Sequence, residues 1–182
     1  MLRTSDILDE RNPILRNKNT DMEFPLNDDD KRIINDMLEH LYLSQIEEEA
    51  EKYDLRPGMG LAAPQIGINK NFFVVCHEEE EGKFKNYILI NPKLISHSEE
   101  LIYSSGGEGC LSVNREVEGI VPRYARITVT GFDLDGRPVK YRVREDLAVA
   151  FQHEIDHLHG VLFFDYIDPK DPFKNIDYMR EI

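Results

Sequence analysis

Gln152-His153-Glu154-Ile155-Asp156-His157-Leu158-His159-Gly160 ends the last strongly helical stretch of the chain, and the rest of the fold is read outward from it. Helical spacing runs over 146–159, with Asp146 as the expected N-cap and Gly160 as the stop. At ~100° per residue, Leu147, Phe151, Ile155 and Leu158 form one apolar stripe. Ala150, His153 and His157 lie on the neighbouring flank, with Glu154 between stripe and flank. Two imidazoles at i and i+4 can share one metal ion, and a Glu between them is placed to exchange protons with a water that the ion polarises. In this composition the pattern arises by chance only about 0.02 times per chain. The competing reading is a pair of solvent-facing histidines beside a helical Glu.

Upstream of that helix the sequence is β-like from Phe72 to Val143. Phe72–Cys76 and Tyr87–Ile90 flank the charged loop His77–Gly82, and Asn91-Pro92 is expected to close the second run. Ile127–Phe132 and Val139–Val143 flank Asp133–Pro138, where Asp135-Gly136 signals a tight turn. Earlier still, residues 27–52 read as one long helix, capped among Asn27–Asp30, with Ile33, Ile34, Met37, Leu38, Leu41 and Ile46 facing the core and Glu47-Glu48-Glu49 solvated. Leu162–Tyr166 is expected as a last short strand before a polar tail. The expected class is α+β: curled antiparallel or mixed sheets around a C-terminal metal-binding helix, with a long N-terminal helix, in a single domain over 1–182.

Composition narrows the partners. Of 182 residues, 35 are acidic and 22 basic, a formal charge of −13, which argues against nucleic-acid binding because phosphate contacts need clustered Lys and Arg. No local basic patch is evident in the sequence, and no apolar run reaches the ~18 residues of a membrane span. The N-terminus lacks the apolar stretch of a signal peptide, so a cytoplasmic protein is expected. The two cysteines cannot form a disulfide framework.

Two histidines leave a metal site incomplete. A third His ten residues after the first would fall on Phe163, which cannot ligate, and the only Glu downstream of the motif is Glu181, near the chain end. Cys110, in Glu108-Gly109-Cys110-Leu111-Ser112, is the best upstream candidate, because thiolate binds such metals strongly. Alone it would read as a small buried hydrophobe. A closed structural site of Cys76, Cys110, His153 and His157, and an ordinary metallopeptidase without Cys110, are the competing readings.

Gly58-Met59-Gly60-Leu61-Ala62-Ala63-Pro64-Gln65, the Cys110 segment and the 152–160 segment together resemble the three signature motifs of the peptide deformylases, in that family's order. Ser44–Pro57 resembles the insertion of the type II enzymes of Gram-positive bacteria. The resemblance implies Cys110, His153 and His157 as ligands of one divalent ion, Fe(II) in the cell with Ni, Co or Zn able to substitute. It implies Glu154 as general acid and base, and the Gln65 amide and Leu111 N–H as donors to the substrate carbonyl oxygen. Gly58, Met59, Gly60, Val149 and Ala150 would line the pocket for the substrate side chain, and a Glu108–Arg123 ion pair would steady the Cys110 loop. The implied reaction removes the N-formyl group from formylmethionyl nascent peptides, releasing formate, with the ribosome nearby.

Overall fold

A computed structural model describes all residues 1–182. Five antiparallel strands form the main sheet: β1 (Gly60–Ala62), β2 (Phe72–Glu80), β3 (Lys83–His97), β6 (Arg126–Phe132) and β7 (Pro138–Arg144), in the order β1-β2-β3-β6-β7. A second sheet joins β5 (Arg123–Tyr124), β4 (Leu101–Tyr103) and β8 (Arg180–Glu181), with β8 parallel to β4. The fold is α+β with antiparallel and mixed sheets and three α-helices.

The run Phe72-Phe73-Val74-Val75-Cys76 is continuously apolar because the strand is covered on both faces. Phe73 and Val75 pack with Ile127, Val129 and Phe151 of α3 (Glu145–Leu158). Phe72, Val74 and Cys76 turn the other way, onto Ile34, Met37, Leu38 and Leu41 of α1 (Asp28–Ser44). Neighbouring residues of a strand point to opposite faces, so this central strand serves two cores.

The expected helix over 27–52 is two helices. α1 starts at the Asn27 cap, whose side chain accepts from Asp30 N at 2.8 Å, and ends at Ser44; α2 spans Glu47–Tyr53. The Ser44 hydroxyl and the Gln45 amide both donate to Leu41 O, and Gln45 also donates to Cys76 O at 2.9 Å. Those side chains take over acceptors at the end of α1 and tie the break to β2. Glu47-Glu48-Glu49 therefore opens a second helix, where negative charge suits the N-terminal dipole.

Three further boundaries differ from expectation. The charged residues His77–Glu80 continue β2, leaving Glu81-Gly82 as the turn. β3 runs on through Asn91-Pro92, because Asn91 takes φ +52° and its side chain is held by Met22 N and O. Phe163–Tyr166 is a 3-10 turn capped by the Asp165 carboxylate on Leu162 N, rather than a strand. The β6–β7 hairpin forms as expected.

α3 is capped two residues before the expected Asp146, which lies inside its first turn. Arg144 occupies the N-cap position, and Glu145 takes φ +55° where strand turns directly into helix. The Glu145 carboxylate is gripped by the Arg180 guanidinium at 2.7 and 2.9 Å, so the tail strand helps hold the start of the helix. At the other end Gly160 takes φ +71°, and a Cβ there would sit 2.9 Å from Arg16 O, which only glycine avoids.

Candidate active site

Side chains from three segments converge at the open flank of α3. Cys110 comes from the loop between β4 and β5, and His153 and His157 project one helical turn apart. Their ligand atoms lie within 4.8 Å of one another. Cys110 Sγ stands 3.3 Å from His157 Nε2. Two ligands at ordinary metal–sulfur and metal–nitrogen distances subtend ~3.6 Å at a tetrahedral angle, so the spacing suits one shared ion. His153 places its Nδ1 3.0 Å from Glu108 Oε1, which leaves Nε2 for a metal. Burial pushes the His157 pKa down, and the adjoining His153 lowers it further. Burial also opposes charge on His153, but Cys110 and Glu108 outweigh it and hold that pKa above the ordinary value.

The alternatives weighed on sequence place their residues elsewhere. Cys76 is fully buried on the α1 side of β2, and the ligand group comprises Cys110, His153 and His157. Phe163 stacks on the His153 ring at 6.0 Å between centroids. Glu181 accepts from the Tyr103 hydroxyl in the second sheet. None of the three joins the ligand group.

Glu154 is 3% exposed, and its Oε2 has no hydrogen-bond partner. Burial pushes its pKa up to about 7, against the pull of His153 and Arg123. A carboxyl group poised near neutrality can both take and give a proton. Gln65 is buried on the opposite wall. Its Oε1 accepts from Ala62 N at 2.9 Å, which aims the amide nitrogen at Cys110 Sγ (3.5 Å) and Ser112 Oγ (3.1 Å). The Leu111 N–H makes no hydrogen bond within the chain and is free to donate.

A cavity of about 370 Å³ opens onto these groups. Gly58, Met59 and Gly60 line one side, Val149 and Ala150 line the helix side, and Leu111, His153 and Glu154 complete the interior. His157 lies beneath the cavity floor, 1% exposed. The expected ligand, acid-base, carbonyl-donor and pocket residues thus lie around one cavity, with His157 just beyond its lining.

The support around the site was only partly foreseen. The expected Glu108–Arg123 pair is present as a fork, at 2.9 Å to each carboxylate oxygen. Together with His153 it holds Glu108 ionised, its pKa lowered to about 2 despite burial. The same buried guanidinium also donates to Asp156 at 2.6 Å, and Asp156 accepts from Tyr166. Asp156 lies inside the motif, three residues after His153, so its side chain shares the ligand flank; that spacing was the available signal. Arg56 was missed altogether. It donates to Cys110 O (3.1 Å), Val113 O (3.2 Å) and the Asn114 side chain, binding the segment before β1 to the Cys110 loop.

A family model described as polypeptide deformylase matches residues 4–173. The peptide deformylase of Shouchella clausii is 51% identical over 175 residues, covering 96% of each chain. Peptide deformylase 2 of Bacillus cereus is 49% identical over 173 residues, covering 95% of this chain and 94% of its own. The crystal structure of the Thermus thermophilus peptide deformylase superposes with a TM-score of 0.73 at 34% identity, covering 92% of this chain and 87% of that one. No helix here is long and apolar enough to cross a membrane. Likeness along nearly the whole length, joined to a Cys/His/His cluster beside a buried Glu, leads to one conclusion: the chain belongs to the peptide deformylase family, the metal-dependent hydrolases that remove the N-formyl group from nascent peptides.

Proposed function

We propose that Cys110, His153 and His157 hold one divalent metal ion, and that Glu154, Gln65 and Leu111 carry the deformylation of N-formylmethionyl peptides around it. The observation that carries this reading is the convergence of one thiol and two imidazoles beside a buried carboxyl group on the wall of a single cavity. The donor set fits such an ion: a soft thiolate and two imidazoles suit Fe(II), Ni, Co and Zn alike. Fe(II) is the proposed cellular metal. An ion held there supplies a Lewis acid and an activated water near neutral pH.

The chain does the rest. Met59, Val149 and Ala150 receive the apolar methionine side chain, while Gly58 and Gly60 let the substrate backbone approach closely. The Gln65 amide and Leu111 N–H donate to the formyl oxygen as negative charge develops on it. Removing one such donor costs about 3–4 kcal/mol of barrier, a hundred- to a thousandfold in rate. Glu154 takes a proton from the attacking water and delivers it to the departing amine nitrogen, which cannot leave as an anion. Burial, which raises its pKa, helps it keep the proton between the two halves of that transfer.

The test is anaerobic purification with metal quantification, followed by formate release from a formyl-Met peptide. Glu154→Ala should keep its metal and lose nearly all activity. Full turnover by a metal-loaded Glu154→Ala enzyme refutes the assigned role, and cleavage of internal peptide bonds refutes the reaction.

A further inference from the structure

The main sheet is covered by α3 on one face, and by α1 over β2 on the other, which leaves the β6–β7 end of the outer face open. The register places Arg126 opposite Arg144, Thr128 opposite Arg142 and Thr130 opposite Lys140, with Lys93 of β3 paired to Thr130. Arg126, Lys140, Arg142, Arg144 and Lys93 are all exposed. No carboxylate occupies an outward position of either β6 or β7. With 22 basic and 35 acidic residues in the chain, four outward charges of the hairpin all being basic is about a one-in-fifty outcome.

This face carries uncompensated charge. Arg126 and Arg144 stand directly across the ladder, an arrangement that like charges make unfavourable. Arg126 pairs with Glu100 at 2.8 Å and Arg144 reaches Glu145 at 3.8 Å, but Arg180 already holds both carboxylates at 2.7 Å. Lys93, Lys140 and Arg142 form no ion pair at all. Between the strands runs a groove bordered by Ser96, Ser98 and Thr128, with Arg126, Arg142 and Arg144 along it.

We propose that this cationic sheet face docks the phosphodiester backbone of an RNA strand. Side chains two residues apart on a strand repeat every ~6.8 Å, which sets the cations at regular intervals. A phosphodiester chain matches such a row phosphate by phosphate, whereas the acidic side chains of a peptide have no fixed spacing. Guanidinium forks suit phosphate geometry, and the Thr128 and Thr130 hydroxyls supply neutral donors between them. The strand is RNA rather than DNA because the substrates, nascent peptides, are made beside RNA. The contacts are to backbone alone, so binding is independent of base sequence. The net charge of −13 repels RNA from the rest of the surface, which orients the protein with this face inward.

The experiment measures binding of a fluorescent 12-nucleotide RNA of mixed sequence by fluorescence anisotropy, from about 50 to 200 mM KCl, with oligoglutamate of equal charge as competitor. The expected result is a micromolar Kd at low salt, with log K falling against log salt at a slope of about −3, at roughly −0.7 per phosphate neutralised. Lys140→Glu with Arg142→Glu should weaken RNA binding at least about tenfold, while formate release and melting temperature stay unchanged. Lys18→Glu with Lys174→Glu makes the same change in net charge away from this sheet and should leave binding intact. The proposal is overturned if wild-type protein fails to bind RNA at the lowest salt, or if both double variants bind equally. Preferential binding of oligoglutamate also overturns it, assigning the face to an acidic protein instead.

Discussion

Gly60→Ala should disable the enzyme without unloading its metal. Gly60 lies in β1 with an ordinary strand conformation, so alanine brings no backbone strain there. The obstacle is Glu154: an added methyl group would overlap its Oε1 and sit 2.9 Å from Cγ and Cδ. Carbon atoms rest at about 3.5–4.0 Å, so the Glu154 side chain must retreat by roughly 0.6–1.1 Å. A displacement of that size at a proton-transferring group costs on the order of a hundredfold in kcat, or about 2.7 kcal/mol of barrier. Overpacking adds about 1–3 kcal/mol of instability, which for a chain of this size lowers the melting temperature by a few degrees. The three atoms nearest the new methyl group all belong to Glu154 and none to a proposed ligand, so metal stoichiometry should stay near one. Formate release, metal content and a melting curve on the same sample separate these effects. Wild-type kcat in a fully loaded Gly60→Ala enzyme refutes the claim that Glu154 must keep this position. Gly58→Ala is the matched comparison, because there the three atoms nearest the methyl group are the movable end of Leu111, and it should cost under about tenfold.

Arg123→Met leaves Glu108 and Asp156 buried without their shared cation and should cost about 3–5 kcal/mol, read as a fall in melting temperature of roughly 10 °C. Arg123→Lys should recover only part of this, since one ammonium cannot reproduce the fork. Arg56→Ala removes the bonds to Cys110 O and Val113 O, and should speed metal loss to a chelator while lowering stability by about 1–3 kcal/mol. Cys76 is fully buried, and burial alone pushes its thiol up to about 11. The native protein should therefore resist alkylation at Cys76 from pH 7 to 9, with reactivity appearing only on unfolding. By metal analysis, Cys76→Ala should retain the ion and Cys110→Ala should lose it.

Elements whose signal is local were legible in the sequence. The stripe of Phe151 and Leu158 fixed the phase of α3 and therefore the side on which His153 and His157 project, and Asp135-Gly136 marked the β6–β7 turn. What escaped depends on distant partners. α1 and α2 share one continuous apolar rhythm, and the break is made by Gln45 reaching Cys76 O, 31 residues away. Nothing near Asn91-Pro92 reveals that Met22 will stabilise Asn91 in a left-handed conformation and let β3 continue. The tail reads as polar, yet Arg180 reaches back to Glu100 and Glu145.

The site divides along the same line, and the division has a chemical reason. Ligands and the acid-base group must be His, Cys and Glu at set intervals, so their spacing is visible along the chain. Residues that steady them need only a charge of the right sign within reach, which Arg56 supplies from a position without a pattern of its own. The cationic face is the extreme case. Lys140, Arg142 and Arg144 alternate openly in the sequence, but the charge becomes a surface only when the register sets Arg126 and Lys93 beside them. A net charge of −13 sums over the whole surface, whereas salt screening leaves a docking strand to sense the few side chains within about 10 Å. Exclusion of nucleic acid on composition alone therefore holds only for a surface on which charge is evenly spread, and on this sheet it is not.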